Sequence, residues 1–143
     1  MKIIHFFLTI VAIAIFNGCS NSENSSDCGD LLIIDQNKYD DISNESTIFV
    51  DSPTLMGECL TVTLGYSGCN NGHDIKLITN GFVAESYPVQ VFFKFDDLNP
   101  QACLAFFTEE FEFDLSPLKD ILGTEDKARL IFVQDDKEVL WEL

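Results

Sequence analysis

Between Cys59 and Ser67 apolar and polar positions alternate. Leu60, Val62, Leu64 and Tyr66 fall on one face, and Thr61, Thr63 and Gly65 on the other. A period of two is the mark of a strand with one buried face. It recurs from Pro88 to Phe95 through Val89, Val91, Phe93 and Phe95, and again where Phe111, Phe113 and Leu115 alternate with Glu110, Glu112 and Asp114. His73 to Thr79 predicts a further strand with Ile75 and Leu77 inward, ended by the turn pair Asn80-Gly81. Leu31–Ile34 and Thr47–Val50 are short apolar strands, the second closed by Ser52-Pro53. Cys103 to Phe107 is apolar throughout and reads as a strand buried on both faces. Ala128–Gln134 and Glu138–Leu143 predict a hairpin across Asp135-Asp136-Lys137. One short connecting helix is expected near 116–122, capped by Ser116, with Pro117 in its first position and Gly123 at its stop. About eight short strands separated by turn signals predict an all-β domain, an antiparallel β-sandwich or barrel, over residues 29–143.

The N-terminal segment has a different pattern. Ile3 to Phe16 is an almost unbroken apolar run, interrupted by His5 and Thr9 and preceded by Lys2. A membrane span needs about 20 apolar residues, more than this run supplies. A buried core helix fits its length, but the run has no continuous polar face. A charged start, a short apolar core and a small residue form a secretory signal. The phrase Asn17-Gly18-Cys19 resembles the lipobox of bacterial lipoproteins. That resemblance implies that residues 1–18 are a removed signal peptide and that Cys19 becomes the lipid-modified first residue. Ser20 then follows the lipid site, where some bacteria place an Asp for inner-membrane retention, so the outer membrane is favoured. Ser20 to Asp27 contains no apolar residue. Residues 19–28 are therefore read as a flexible tether, because burial cannot offset the entropy of ordering them.

Charge narrows the partners. The chain holds 8 Lys and Arg against 24 Asp and Glu. Loss of Lys2 leaves 7 basic against 24 acidic residues, a net charge of −17. Nucleic acid is excluded as a partner on this reading, since phosphate neutralisation needs Lys and Arg. Direct docking on an anionic membrane is disfavoured too, so the N-terminal lipid would hold the protein there. The charge keeps an exported domain soluble and steers basic partners toward it.

Five cysteines are present. With Cys19 assigned to lipid, Cys28, Cys59, Cys69 and Cys103 remain. Four cysteines in a small exported domain suggest two disulfides with three possible pairings. Cys69 with Cys103 and Cys28 with Cys59 is the preferred set.

The stretch Tyr66-Ser67-Gly68-Cys69-Asn70-Asn71-Gly72-His73 links two of the clearest strands through a loop rich in Gly and Asn. Together with Cys103 and the phrase Phe111-Glu112-Phe113-Asp114-Leu115-Ser116-Pro117-Leu118, it is similar to small exported lipoproteins with a NigD-like β-sandwich domain. In that group a strand runs into a Gly-Cys turn, a His begins the next strand, and a later Cys precedes such a phrase. The resemblance spans roughly residues 60–143. It implies fold and location, and no established activity.

Few residues offer chemistry. His73 is the only His outside the signal segment, which excludes multi-histidine zinc and blue-copper centres within one chain. A Cys69–His73 nucleophile pair is conceivable, but Cys69 has Cys103 as a disulfide partner, and His73 is better read as hydrogen-bonding a turn. Asp96, Asp97 and Asn99 form a loop of oxygen ligands that could take Ca²⁺, yet they lack the spacing of an EF-hand loop and are better read as a solvated turn. Phe92 and Phe107 are candidates for a second core face or an exposed binding patch. Paired carboxylates could serve a glycosidase, but the sequence places no two of them across a cleft. No nucleophile elbow or phosphate-binding glycine loop is present.

The resulting expectation is a non-enzymatic envelope lipoprotein without a cofactor, a binding or assembly module for a protein or glycan partner. The alternative is an acidic inhibitor of a basic secreted enzyme such as a lysozyme.

Overall fold

The computed structural model describes residues 28–44 and 48–143. The signal peptide, Cys19 and residues 20–27 of the tether lie outside the described residues.

Eleven elements follow one another: β1 (Asp30–Leu31), β2 (Ile33–Ile34), α1 (Gln36–Asp41), β3 (Phe49–Met56), β4 (Cys59–Gly68), β5 (Ile75–Ala84), β6 (Val89–Asp97), β7 (Ala105–Asp114), α2 (Leu118–Leu122), β8 (Lys127–Phe132) and β9 (Lys137–Glu142). The strands form two sheets, in the orders β1-β7-β4-β3 and β2-β5-β6-β8-β9. The alternating residues fill the space between them. Leu60, Val62, Leu64 and Tyr66 of β4 are buried, as are Val91, Phe93 and Phe95 of β6 and Leu130 and Phe132 of β8. Phe95 links the two layers, with its ring 5.9 Å from Phe113 and 5.6 Å from Phe132. The all-β sandwich expected from the alternation is the architecture observed.

Both sheets are mixed, a departure from the purely antiparallel expectation. β1 runs parallel to β7, β2 to β5, and β6 to β8. β1 and β2 are separated only by Leu32, so the chain steps from one sheet to the other without reversing direction. The β6–β8 pair is closed by a long crossover through β7 and α2, the length a parallel connection needs.

Two turn signals act as bulges. Ser52-Pro53 does not end β3; the ladder shifts register between Asp51 and Thr54, with Ser52 at φ 47°. Proline is tolerated there because β3 is an edge strand. Asn80-Gly81 likewise sits inside β5, where the register shifts between Thr79 and Val83, and Gly81 takes φ 78°.

The segments read separately as Cys103–Phe107 and Phe111–Leu115 are mostly one ten-residue strand, β7. It is not buried on both faces at its start. Leu104 and Phe106 are exposed, because among the described residues no third layer covers that side of the sheet. The Asp135-Asp136-Lys137 hairpin forms as expected.

α2 begins one position later than predicted. Pro117 is its cap, and the Ser116 amide donates to Asp114 Oδ1 at 2.8 Å. Gly123 ends it at φ 60°.

The second helix, α1, is not foreseen in the sequence pattern. Asp35 caps it, accepting from the amides of Asn37 and Lys38 at 2.9 and 3.1 Å. Its other end depends on β6. Lys94 is buried, and its Nζ donates to the carbonyls of Tyr39 (3.0 Å) and Ile42 (2.8 Å) while sitting 4.4 Å above the Tyr39 ring. The ammonium therefore satisfies carbonyls that the last helical turn leaves open, at the negative end of the helix.

Lys94→Met should remove both donors and keep most of the volume. The expected loss is about 1–3 kcal/mol for the stranded carbonyls, a Tm fall on the order of 5 °C. Hydrogen exchange at the Tyr39 amide should accelerate. An unchanged Tm with unchanged α1 protection would show that Lys94 does not anchor the helix.

Candidate functional site

The chemistry-bearing residues gather at one end of the sandwich, where β4 runs out and β5 begins. Cys69, just past Gly68, is disulfide-bonded to Cys103, with Cα atoms 4.9 Å apart. The second bridge joins Cys28 to Cys59, Cα atoms 5.3 Å apart, at the start of β4. Of the three possible pairings, the preferred one forms. Gln101 secures the loop by accepting from the Cys69 amide at 2.8 Å and donating to Asn70 Oδ1 at 3.1 Å.

His73 leaves this loop buried, with its side chain wholly enclosed. Its Nδ1 lies 2.6 Å from Asp97 Oδ2, an ionic acceptor at the end of β6. The imidazole stacks on Tyr66, with ring centroids 4.5 Å apart and planes tilted by 31°. Nε2 has no hydrogen-bond partner among the described residues and faces Gly68, where an added Cβ would come within 2.5 Å of it. Glycine at 68 is thus a packing requirement of the histidine. Asp97, Tyr66 and Gly68 close His73 on three sides, and the Cys69 thiol is consumed in a disulfide. The nucleophile pair therefore has neither partner available, and the bond His73 makes is to Asp97 at the end of β6 rather than to a turn.

Below His73, the Tyr66 hydroxyl donates to the Glu109 carboxylate of β7. The Gly72 amide is shared between them, 3.2 Å from Tyr66 Oη and 3.0 Å from Glu109 Oε2. The Tyr66 bond, and then the Gly72 amide, hold the Glu109 carboxyl below its ordinary pKa. Burial and the Glu109 bond push Tyr66 upward.

The Ca²⁺ candidates do not converge. Asp96 and Asp97 are adjacent in a strand and point to opposite faces. Asp97 is engaged by His73 and accepts from the Asn99 amide at 3.1 Å, while Asn99 Oδ1 accepts from the Asp74 amide at 2.7 Å. Asp96 faces the α1 side; its carboxyl is raised by burial and by Asp97, with Lys38 opposing. Among the described residues no three His, Cys, Asp or Glu side chains group as metal ligands. A cleft of about 600 Å³ lies between the end of α1 and this loop, with Lys38, Asp96, Asp97 and Gln101 among its walls.

The aromatic candidates take other places. Phe92 is half-buried in β6, on the face opposite Val91 and Phe93. Phe107 is half-buried and packs inward, its ring 6.1 Å from Tyr66. Among the described residues the exposed aromatics are Phe49, Phe82, Tyr87 and Phe106. Phe106 is 57% exposed and Phe49 56%, with ring centroids 5.9 Å apart on the outward face of the first sheet. Phe106 lies across Gly65, where an added Cβ would be 2.5 Å from its ring. Extending the Phe111–Phe113 phase backward assigns Phe107 inward and Phe106 outward, a signal the sequence carried.

This face is also electrically one-sided. None of β1, β3, β4 and β7 contains Lys or Arg. Asp51, Glu110 and Glu112 are exposed along it, with Asp51 and Glu110 both registered on Thr63. The basic residues of the described chain lie on the second sheet and the two helices.

No family model and no curated protein matches the chain. Solved structures share its fold. A protein from Parabacteroides distasonis described as toxin-related aligns at 17% identity and TM-score 0.51, covering 80% of this chain and 59% of that one. A protein of unknown function, DUF1344, from Bacteroides vulgatus aligns at 10% identity and TM-score 0.52, covering 80% and 56%. A NigD-like immunity protein from Bacteroides caccae aligns at 14% identity and TM-score 0.45, covering 80% and 58%. The first two show the fold alone. The chain spans less than three fifths of the length of each of the three.

The Tyr66–Glu109–Gly72 contact predicts a pH dependence. A carboxyl whose folded pKa is depressed contributes stability above its unfolded value, and that contribution is lost as pH falls through the folded value. Glu109→Gln should be less stable than the parent at pH 7, by roughly 1 kcal/mol once solvent screening is allowed for. The gap should close as pH is lowered from about 5 toward 3. Thermal melts of both proteins across that range check it; a gap independent of pH would contradict the assignment.

Proposed function

We propose that this chain is an exported binding module, tethered through a lipid on Cys19 and without catalytic chemistry of its own, whose partner is a protein met at the cell envelope. The observation that carries the reading is the outward face of the β1-β7-β4-β3 sheet, with Phe106 laid on Gly65 beside Phe49 and a cation-free row of carboxylates. Exposed aromatic rings in contact are characteristic of recognition surfaces, where a few such residues supply most of the binding energy. The two disulfides support an oxidising, exported location. The resemblance of Asn17-Gly18-Cys19 to a lipobox supports the tether, and Ser20 favours the outer membrane. The enclosure of His73 and the engagement of Cys69 support a non-enzymatic role. A glycan could stack on the same rings, but the acidic field favours a protein.

The charge also favours a second reading, an inhibitor of a basic secreted enzyme. Titration against lysozyme activity at low salt tests it, and absence of inhibition there would remove it.

The leading reading predicts that a Phe49→Ser, Phe106→Ser double variant folds like the parent. Its affinity for whatever the parent captures from detergent-solubilised envelopes should fall at least about thirtyfold, the effect of losing a hot spot of 2 kcal/mol or more. Equal capture by both proteins would remove this face from the function.

A further inference from the structure

Among the described residues β7 has a bare edge. One side of the strand is registered on β4 without interruption, from Cys59↔Asp114 to Gly68↔Ala105. On its other side lies only β1, which reaches Phe113 and Asp114. The two described residues before β1, Cys28 and Gly29, turn away from that edge. Gly29 turns at φ 41°, tight against the Glu112 carbonyl, and Cys28 is bonded back to Cys59 on β4. Among the described residues, the backbone from Ala105 to Phe111 therefore has a row of donors and acceptors with no strand beside it.

The other edge of this sheet, β3, is interrupted by a bulge and by Pro53. Those are devices that keep a sheet edge from pairing. β7 has neither, and no Lys. Its exposed side chains present carboxylate instead, at Glu110 and Glu112.

We propose that the edge of β7 over residues 105–111 is a strand-addition site for an extended, basic segment of a partner protein. The inference rests on the binding reading above and gives it a mode and a partner chemistry. An added strand pairs main chain to main chain, while alternate side chains meet the flanking faces. Lys or Arg placed opposite Glu110 and Glu112 would gain cross-strand pairing. A second copy of this chain would place like carboxylates against one another, so the charges select against self-pairing and for a cationic strand. The ladder is held at both ends by disulfides, Cys28–Cys59 and Cys69–Cys103, so the template is formed before the partner arrives.

The probe is a peptide of about nine residues alternating Lys and Val, a strand-length segment. Its control has the same length and charge with proline in place of every Val, which removes backbone donors. Hydrogen exchange of the purified protein is followed amide by amide. With the Lys-Val peptide, amides within 105–111 should slow at least about tenfold, and the affinity should fall several-fold from about 50 to 300 mM salt. The proline control should give neither protection nor comparable affinity. Equal binding of both peptides, or binding without protection of 105–111, would overturn strand addition while leaving the outward face as the binding surface. No binding at low salt would overturn it too, and the envelope capture by the Phe49 and Phe106 variant then decides the binding reading separately. Protection that grows with protein concentration in the absence of peptide would identify a second copy as the occupant and overturn the inference as well.

Discussion

The β4–β7 ladder is the constraint on which the rest of this fold depends. Its ten residue pairs run without a register shift, and a disulfide pins the chain near each end. The first disulfide joins the start of β4 to the chain entering the domain; the second joins the end of β4 to the chain entering β7. Each would stabilise by roughly 2–4 kcal/mol, mainly by restricting the unfolded chain. A one-residue slip in such a ladder would turn every core side chain to solvent. The bridges make that slip unavailable, so Leu60, Val62, Leu64 and Tyr66 face inward while Gly65 and Phe106 face outward.

The side-chain cluster at the sandwich end is a consequence of that register. Tyr66 is placed opposite Phe107 and reaches Glu109 on the same strand, and its ring supports His73. His73 then reaches Asp97, which ties the end of β4 to the end of β6 in the other sheet. A histidine, two acids and a tyrosine within one cluster have the composition of an active site, but their partners are one another. The cluster joins the two sheets where no strand passes between them. Lys94 does the corresponding work on the outer face of the second sheet, holding a helix of only six residues that would not persist alone.

Local alternation made most of this fold legible. β4, β6 and the β8–β9 hairpin follow the period-two pattern closely, because each has one face on the core and one away from it. The misreadings share a cause. Whether Ser52-Pro53 and Asn80-Gly81 end a strand or bulge within it depends on whether a neighbouring strand continues past them, and that neighbour is distant in sequence. α1 is invisible for the same reason. Asp35 signals its start, but only Tyr39 of the helix is buried, and the group that secures its end is Lys94, on a strand far along the chain. The parallel pairs of β1 and β2 were equally out of reach, since these strands are two residues each and carry no pattern of their own.

The exposed aromatic face was half legible. The sequence contained the phase that turns Phe106 outward, but phase says only that Phe106 and Phe107 face opposite ways. Which of them meets solvent depends on where the second layer lies, a fact of topology. The same topology sorts the charge. The net charge is a property of composition, yet the fold gathers Lys and Arg onto the second sheet and the helices and leaves the first sheet with none. The acidity that composition reads as a means of solubility becomes directional in the folded molecule. Its cation-free face holds the exposed Phe49–Phe106 pair, and that face ends at the edge of β7, which among the described strands only β1 meets, at Phe113 and Asp114. Under the strand-addition proposal, a cationic strand would be drawn to the side where the described backbone has an unpaired edge.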